Sequence, residues 1–383
     1  MLRGVRMQRK YQMCKRCVMD TTDPDIIFDE DGFCNHCTDA LKKLHSYPLN
    51  LSAAEKEKEL QKIAERIKGS GKNKEYDCIV GISGGVDSSY VLYLVKNLGL
   101  RPLAVHVDNG WNTEFSVKNM EKVLKKLDVK LHTVNVDWAE FKDLQLSFLK
   151  SSTPDLEIPT DHALIATLYS VALKYNVKYI ISGHNAITES IAVPKWSHGH
   201  YDWRYVKLMQ KKFGSKKLKT YAHYTLFNIF YRQVIKKINI ITIIDYLPEY
   251  NKQKIISFLE KEFDWKNYPG KHGESIYTFF IQSHILPTKF NYDKRKMHLS
   301  NLICAGQITR NEALEELKKP LFTESELQEM KKYVCDKLEI TTEEFESFMA
   351  LPNKSYYDYP SYETHPIYRI LRDVYKKIKP QQL

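Results

Sequence analysis

The sequence predicts an α/β protein: a parallel sheet covered by helices on both faces, preceded by a small cysteine-built module and followed by a mostly helical region. Three observations carry this expectation. From Tyr76 onward, short apolar, β-branched runs alternate with helical stretches, the pattern of strands joined by crossover helices. Three polar clusters, "SGGVDSS", "DNGWN" and "SGHNAITE", fall where strands should end, and ligands of parallel sheets collect beyond those carboxyl ends. Four of the seven cysteines form two Cys-x-x-Cys pairs near the start.

Those pairs are Cys14 with Cys17 and Cys34 with Cys37, sixteen residues apart. Two such knuckles can close a tetrahedral thiolate site around zinc, and the polar stretch between them, with Pro24 and Gly32, suits a ribbon loop. Four thiolates fill the coordination shell, which favours a structural Zn²⁺; an iron–sulfur cluster is the rival occupant. His36, inside the second knuckle, reads as a bystander. Cys78, Cys304 and Cys335 read as small buried hydrophobes. Residues 1–50 are therefore expected as the ribbon-like module. A helix with a Ser52–Glu55 capping box follows and stops at Gly69. With "GSGKNK" as a flexible basic link, residues 51–75 join module to sheet.

Residues 76–200 are expected to hold the sheet. Strands are predicted in "DCIVGIS", "PLAVHVD", "KLHTVNV" and "VKYIISGHN", with helices over Asp87–Leu98, through "SVKNMEKVLKKLD" and from Asp161 to Tyr175. Beyond 200 the chain turns aromatic, basic and largely helical, so 201–383 reads as a region for substrate or a partner. Trp111, Asn112, Trp203, Tyr277 and Phe279 could line a ligand pocket, but core is the expected place for such side chains.

The first polar cluster asks for a ligand. At a strand-to-helix turn, Gly84 and Gly85 let the backbone come close, and the helix start offers unpaired N–H groups to an anion. Ser83, Ser88 and Ser89 add hydroxyls. Asp87 would repel a polyphosphate unless Mg²⁺ bridges the two. No Walker-type lysine is present. In this setting "SGGVDSS" resembles the PP-loop of the ATP pyrophosphatase superfamily, which includes asparagine, GMP and NAD synthetases and tRNA thiolation enzymes. The resemblance implies ATP cleavage to AMP and pyrophosphate. It sets Ser83, Gly84, Gly85, Asp87, Ser88 and Ser89 around the pyrophosphate and its metal. It also places His106, Val107 and Asp108 near the adenosine, and Gly183, Asn185 and Glu189 near the reacting centre. For His184 and Asn185 a loop cap is the plain alternative.

The succession of cysteine knuckles, PP-loop and "KHGES…KFNYDKRKMHLSNLICAGQITRNEALEEL" is similar to that of the N-acetyl sugar amidotransferases of surface-glycan synthesis (PseA/WbpG type). This resemblance spans nearly the whole chain. It implies conversion of an acetamido group, on a nonulosonic acid such as pseudaminic or legionaminic acid or on a UDP-linked sugar, into an acetamidino group. ATP would adenylylate the amide oxygen and ammonia would displace AMP. Asp87, Glu189, Lys271 and Arg295 are then the expected catalytic set. Lys271, His272, Lys294 and His298 are expected to hold substrate, and Lys289 belongs to the same basic segment, expected to neutralise charge at the α-phosphate. No glutaminase nucleophile is recognisable, so the expected ammonia source is free ammonia or, preferred, a separate glutaminase subunit. A tRNA thiolation enzyme is the rival reading; it needs cysteines near the adenylate, and none lies between Cys78 and Cys304.

Composition sets wider bounds. A chain of 383 residues, 43% hydrophobic and 27% charged, has room for two or three ordinary soluble domains. No apolar run reaches membrane-spanning length, and "MLRGVRMQRKYQM" has no signal-peptide core. A cytoplasmic protein with reduced thiols and no membrane partner is expected. The net charge of +11 suits an anionic ligand. Its lysine excess reads as a scattered, solvated surface, and nucleic acid is not the expected partner.

Overall fold

The computed structural model describes residues 10–196, 198–267 and 273–378. Its centre is a sheet of five parallel strands: β1 (Cys78–Gly81), β2 (Pro102–Asp108), β3 (Leu131–Asn135), β4 (Tyr179–Ser182) and β5 (Asn239–Thr242). They lie in the order β3-β2-β1-β4-β5. Val80 on β1 pairs with Ala104 on β2 and Ile181 on β4, which fixes the register of the middle of the sheet. Because side chains alternate along a strand, Cys78, Val80, Ala104 and Ile181 enter one core while Ile79, Leu103, Val105 and Ile180 enter another. Both faces are apolar, as covering helices require.

The helices follow in chain order. α1 (Asn35–Leu44) closes the cysteine module, and α2 (Ala53–Ser70) leads to β1. α3 (Val86–Asn97), α4 (Glu114–Leu127), α5 (Trp138–Ser151) and α6 (Ile158–Lys174) link β1 to β4. α7 (Ala186–Glu189), α8 (Trp203–Phe213) and α9 (Leu226–Phe230) precede β5, and α10 (Lys252–Phe263) follows it. α11 (Ile276–Phe280) runs on into a π-helical stretch, Ile281–Phe290. Last come α12 (Lys294–Cys304), α13 (Arg310–Lys318), α14 (Glu324–Leu338), α15 (Thr342–Met349) and α16 (Pro366–Ile378).

Helices α2, α3, α4 and α10 pack on one face of the sheet and α6 on the other. A second core joins α5, α8, α11, α14 and α15, and Trp111 stacks there on Tyr277 with ring centroids 4.8 Å apart. A third surrounds the four cysteines. Among the described residues no helix is long and apolar enough to cross a membrane.

Three local expectations change. The α/β layer draws on residues beyond 200, since β5 and α10 complete it. "NIIT" is too short, and too deep in an aromatic stretch, to announce itself as a strand. The capping box of α2 forms, with Glu55 N–H on the Ser52 hydroxyl, but the helix runs through Gly69 to Ser70. The "GSGKNK" link is pinned rather than loose. The Arg101 guanidinium forks onto Asp77 and also donates to the carbonyls of Gly71 and Lys74.

Candidate functional site

The strand order reverses at the centre: from β1 the chain moves outward through β2 and β3, then returns to β4 on the other side. Ligands of open α/β sheets bind at such a switch point. Here it brings the turn after β1 against the turn after β4. Gly183 makes the approach possible, because a Cβ there would stand 3.2 Å from the Ser88 nitrogen and 3.3 Å from the Asp87 carbonyl carbon.

The turn after β1 is shaped for an anion. Gly84 has φ +81°, and a Cβ at this position would lie 2.1 Å from the Ser116 carbonyl oxygen, so only glycine fits. The Ser83 N–H donates to the Ser88 hydroxyl at 3.2 Å, and Gly85 N–H to the Ser83 hydroxyl at 3.3 Å. α3 begins at Gly85 without a side-chain cap. By contrast α2, α4, α5, α7, α8, α10 and α12 all begin on a Ser, Thr, Asp or Asn that caps them. The first-turn N–H groups of α3 are thus left to a ligand. The Ser89 hydroxyl, fully buried one turn in, has no hydrogen-bond partner. An open glycine cradle, an uncapped helix start and an orphaned hydroxyl fit a pyrophosphate group.

Two residues that sequence reasoning did not single out close over this turn. Tyr250 donates its hydroxyl to Asp87 Oδ1 at 2.5 Å, and Trp265 donates its indole N–H to the Gly84 carbonyl at 3.1 Å. Burial first, and then the Asp87 carboxylate, hold the Tyr250 phenol well above its usual pKa, so it stays a donor. Both residues arrive from beyond β5. No local pattern marks them.

At the end of β2, His106 is buried. Its Nδ1 donates to the Ile82 carbonyl at 2.9 Å, and its Nε2 accepts from the Asn112 amide at 3.1 Å. Asp108 receives the Gly110 N–H and the Asn112 amide. His106, Val107 and Asp108 therefore form a fixed rim beside the turn after β1. After β4, Asn185 is buried and its carbonyl oxygen accepts the Thr188 N–H, which makes it the cap of α7. Asp245 adds a second cap on Ala186 N–H. Glu189, at the end of α7, lies 3.2 Å from His184 Nε2.

The C-terminal basic residues divide. Lys271 and His272 lie outside the described residues. Lys294, half-buried, reaches Glu157 at the start of α6, 3.3 Å away. His298 is half-buried on α12. Arg295 is engaged elsewhere: it forks onto Asp293, the cap of its own helix, and donates to the Lys319 carbonyl. Lys289 holds the carbonyls of Phe348, Met349 and Leu351. Neither cation faces the turn after β1 in this arrangement.

The cysteine module fits one metal ion. The four sulfurs lie within 4.8 Å of one another, with Cys14–Cys37 at 3.7 Å and Cys17–Cys34 at 3.6 Å. A Zn–S bond of about 2.3 Å in a tetrahedron implies sulfurs about 3.8 Å apart; a polynuclear iron–sulfur cluster would hold them further apart. Backbone N–H groups of Arg16, Cys17, Cys34 and Cys37 point at the sulfurs, as thiolates require. His36 turns to Asp23 instead, 2.5 Å away.

This module is clamped to the site. Val18 N–H donates to the Ser300 hydroxyl, Lys296 pairs with Asp20, and Arg310 donates to the carbonyls of Cys14 and Cys17. On the same helix, Asn301 accepts from Ser190 Oγ and Ile191 N–H at 2.8 Å each, directly after Glu189. One helix, α12, thus carries both the ribbon and the exit of the β4 turn.

Residues 274–375 match the family described as LPS biosynthesis protein WbpG-like, C-terminal domain, and 77–192 match that of queuosine biosynthesis protein QueC. The sheet segment is thus similar to QueC and the C-terminal segment to a WbpG-like domain, and neither match covers half of the chain. It is 30% identical over 174 residues to an uncharacterized protein of Methanocaldococcus jannaschii, covering 45% of this chain and 58% of that one. Over 127 residues it is 32% identical to the tRNA-specific 2-thiouridylase MnmA of Ruthia magnifica, covering 30% of this chain and 35% of the other. The chain thus spans less than two thirds of the length of these curated relatives. Among solved structures, the NH3-dependent NAD synthetase of Campylobacter jejuni aligns at 15% identity and a TM-score of 0.32, covering 70% of this chain and 99% of the other.

Proposed function

We propose that this protein is an ATP-dependent amidotransferase that turns an acetamido group of a bacterial surface-glycan sugar into an acetamidino group, releasing AMP and pyrophosphate. The observation that carries this reading is the joining of an uncapped, glycine-cradled PP-loop to a WbpG-like C-terminal segment, whose helix α12 holds the segment after Glu189. An amide oxygen is a poor leaving group. Transfer of AMP from ATP onto that oxygen forms an O–P bond and frees pyrophosphate; ammonia then adds to the carbon and AMP leaves with the oxygen. No enzyme nucleophile is needed, so the chain's work is positioning and charge neutralisation.

In this reading the Ser83–Ser89 turn holds pyrophosphate, and Asp87, steadied by Tyr250, would hold Mg²⁺, which neutralises phosphate charge. The His106–Asp108 rim faces the nucleoside. Glu189 serves the amide, and Lys294 the sugar's anionic groups, a role in which Lys271 and His272 join it. A separate glutaminase subunit supplies ammonia.

The similarity to a tRNA-specific 2-thiouridylase over 127 residues sustains thiolation as a second reading. Against it, Cys78 is buried in β1 and Cys304 packs beside the ribbon. The deciding experiment is pyrophosphate release from ATP with ammonium present, adding acetamido sugars in turn and then bulk tRNA. Sugar-dependent AMP and pyrophosphate, with a product mass reflecting replacement of O by NH, supports the amidotransferase. Release with tRNA alone rejects it.

A further inference from the structure

The positive charge of the chain is concentrated, not scattered as its lysine content suggests. Between Asp202 and Asp245 there is no Asp or Glu, yet eight lysines and two arginines, ten charges of a net +11. All eight lysines are exposed. The ion pairs that bracket the stretch, His200–Asp161 and Lys254–Glu249, lie outside it. Among the described residues no carboxylate pairs with any of the eight.

These lysines are held in place. Asp143 and Glu140 of α5 are buried and accept N–H groups from Ser215, Lys216, Lys219, Thr220 and Tyr221. That fixes the loop presenting Lys216, Lys217 and Lys219. On α8, Arg204, Lys207 and Lys211 recur at i, i+3 and i+7, one face of the helix.

Large apolar side chains stand in solvent beside them. Phe227 is 71% and Ile235 57% exposed on α9 and the turn after it; on α16 Ile367 is 61%, Ile370 64% and Val374 47% exposed. The α16 positions again share one face. Two contacts join the pieces: the Arg204 guanidinium lies 5.8 Å from the Tyr368 ring of α16, and Trp203, at the start of α8, stacks on His223, just before α9, with ring centroids 4.0 Å apart.

We propose that this face, built from α8, α9 and α16, docks the protein peripherally on an anionic lipid bilayer. Charge decides first: a second copy would bring its own eight exposed lysines against these, so the occupant is anionic. Side-chain chemistry decides next. Lysines outnumber arginines eight to two, and point charges suit a diffuse anionic surface, whereas nucleic-acid and protein interfaces favour the arginine fork. Isoleucine and valine cannot stack on bases, but they enter the acyl boundary beside phenylalanine, as on interfacial helices. This goes against the expectation of no membrane partner and does not depend on the proposed chemistry.

The test is flotation of the full chain with vesicles of phosphatidylglycerol and phosphatidylcholine, and with phosphatidylcholine alone. Binding is expected only to the anionic vesicles and should weaken with salt. Lys207→Glu with Lys211→Glu should weaken it roughly tenfold or more, and Phe227→Ser with Ile370→Ser should also release the protein, the melting transition being unchanged. A check without variants is hydrogen exchange of the wild type on anionic vesicles, with protection expected in 204–237 and 366–374. No anionic binding, protection on another face, or a dimer in sedimentation equilibrium that Ile370→Ser dissolves would overturn the proposal. Preference for duplex RNA over vesicles would do so too.

Discussion

The Tyr250 hydroxyl donates to the Asp87 carboxylate at 2.5 Å, across 163 residues of chain. It is the contact by which the segment after β5 holds the one acid of the Ser83–Ser89 turn in place. A hydrogen bond to a charged group contributes about 1.5–3 kcal/mol. Tyr250→Phe should therefore weaken Mg²⁺-dependent ATP binding about tenfold, while Asp87→Asn should abolish the Mg²⁺ dependence itself. Calorimetric titration of ATP at graded Mg²⁺ measures both, and an unchanged affinity in Tyr250→Phe would remove the tyrosine from the site.

Gly84→Ala tests the cradle. Its positive φ and the 2.1 Å approach to Ser116 leave no room for a methyl group, so the turn must open, at a cost of roughly 1–3 kcal/mol. ATP should raise the melting temperature of the wild type and leave that of the variant unmoved.

Asn301 is a buried positioning residue. Asn301→Ala strands the Ile191 N–H and the Ser190 hydroxyl, both buried beside Glu189. An unsatisfied buried group costs about 1–3 kcal/mol, so urea denaturation should show a loss of that order. A neutral result would mean that water replaces the amide.

The metal should be structural. A chelator strong enough to strip the four thiolates should release one zinc per chain, read by mass spectrometry of the metal. Hydrogen exchange should then rise in 190–193 and 296–301, because Ser300, Asn301 and Arg310 tie the ribbon to that segment. Stripped protein with unchanged exchange there would show that the clamp stands without the ion.

Acid should destabilise the fold through His162. Its Nδ1 donates to the His200 carbonyl and its Nε2 accepts Tyr224 N–H, so the folded protein needs it neutral. Burial pushes it down from 6.5 to about 4. Stability from this group is complete above pH 6.5 and is lost as pH falls from 6.5 toward 4, up to roughly 3 kcal/mol. Asp155, buried and pushed up to about 6, acts in the opposite sense over an overlapping window, so the comparison must be within one position. His162→Gln should flatten the difference in denaturation midpoint between pH 7 and pH 5; an unaltered pH dependence would place the titration elsewhere.

Local chemistry was legible and long-range closure was not. The Ser52–Glu55 capping box, the glycines of the PP-loop, the cysteine spacing and four of five strands all express themselves within a few residues, where sterics and hydrogen bonding act on neighbours in the chain. Asn185 shows the boundary: its residue type suits a ligand contact or a cap equally, and only the position of Thr188 N–H reveals the cap. Tyr250, Trp265 and Asp245 carry no motif, and nothing within its quoted segment marks the role of Asn301, because each acts on a partner reached through the fold. Arg295 and Lys289 resemble ligand-binding cations until their bonds to Asp293 and to the end of α15 are seen.

By itself, then, the sequence determined a parallel sheet, a glycine turn shaped for an anion and a four-thiolate site, since backbone conformation and side-chain chemistry at those places depend on residues adjacent in the chain. Tertiary structure alone decided which strand completes the sheet, which side chains close over Asp87, and that α12 joins the ribbon to the exit of the β4 turn. It also decided that the basic helix α8 meets α16, whose apolar side chains Ile367, Ile370 and Val374 stand in solvent. Those outcomes depend on packing between distant segments, where burial and desolvation set the energy and no local pattern records the partner.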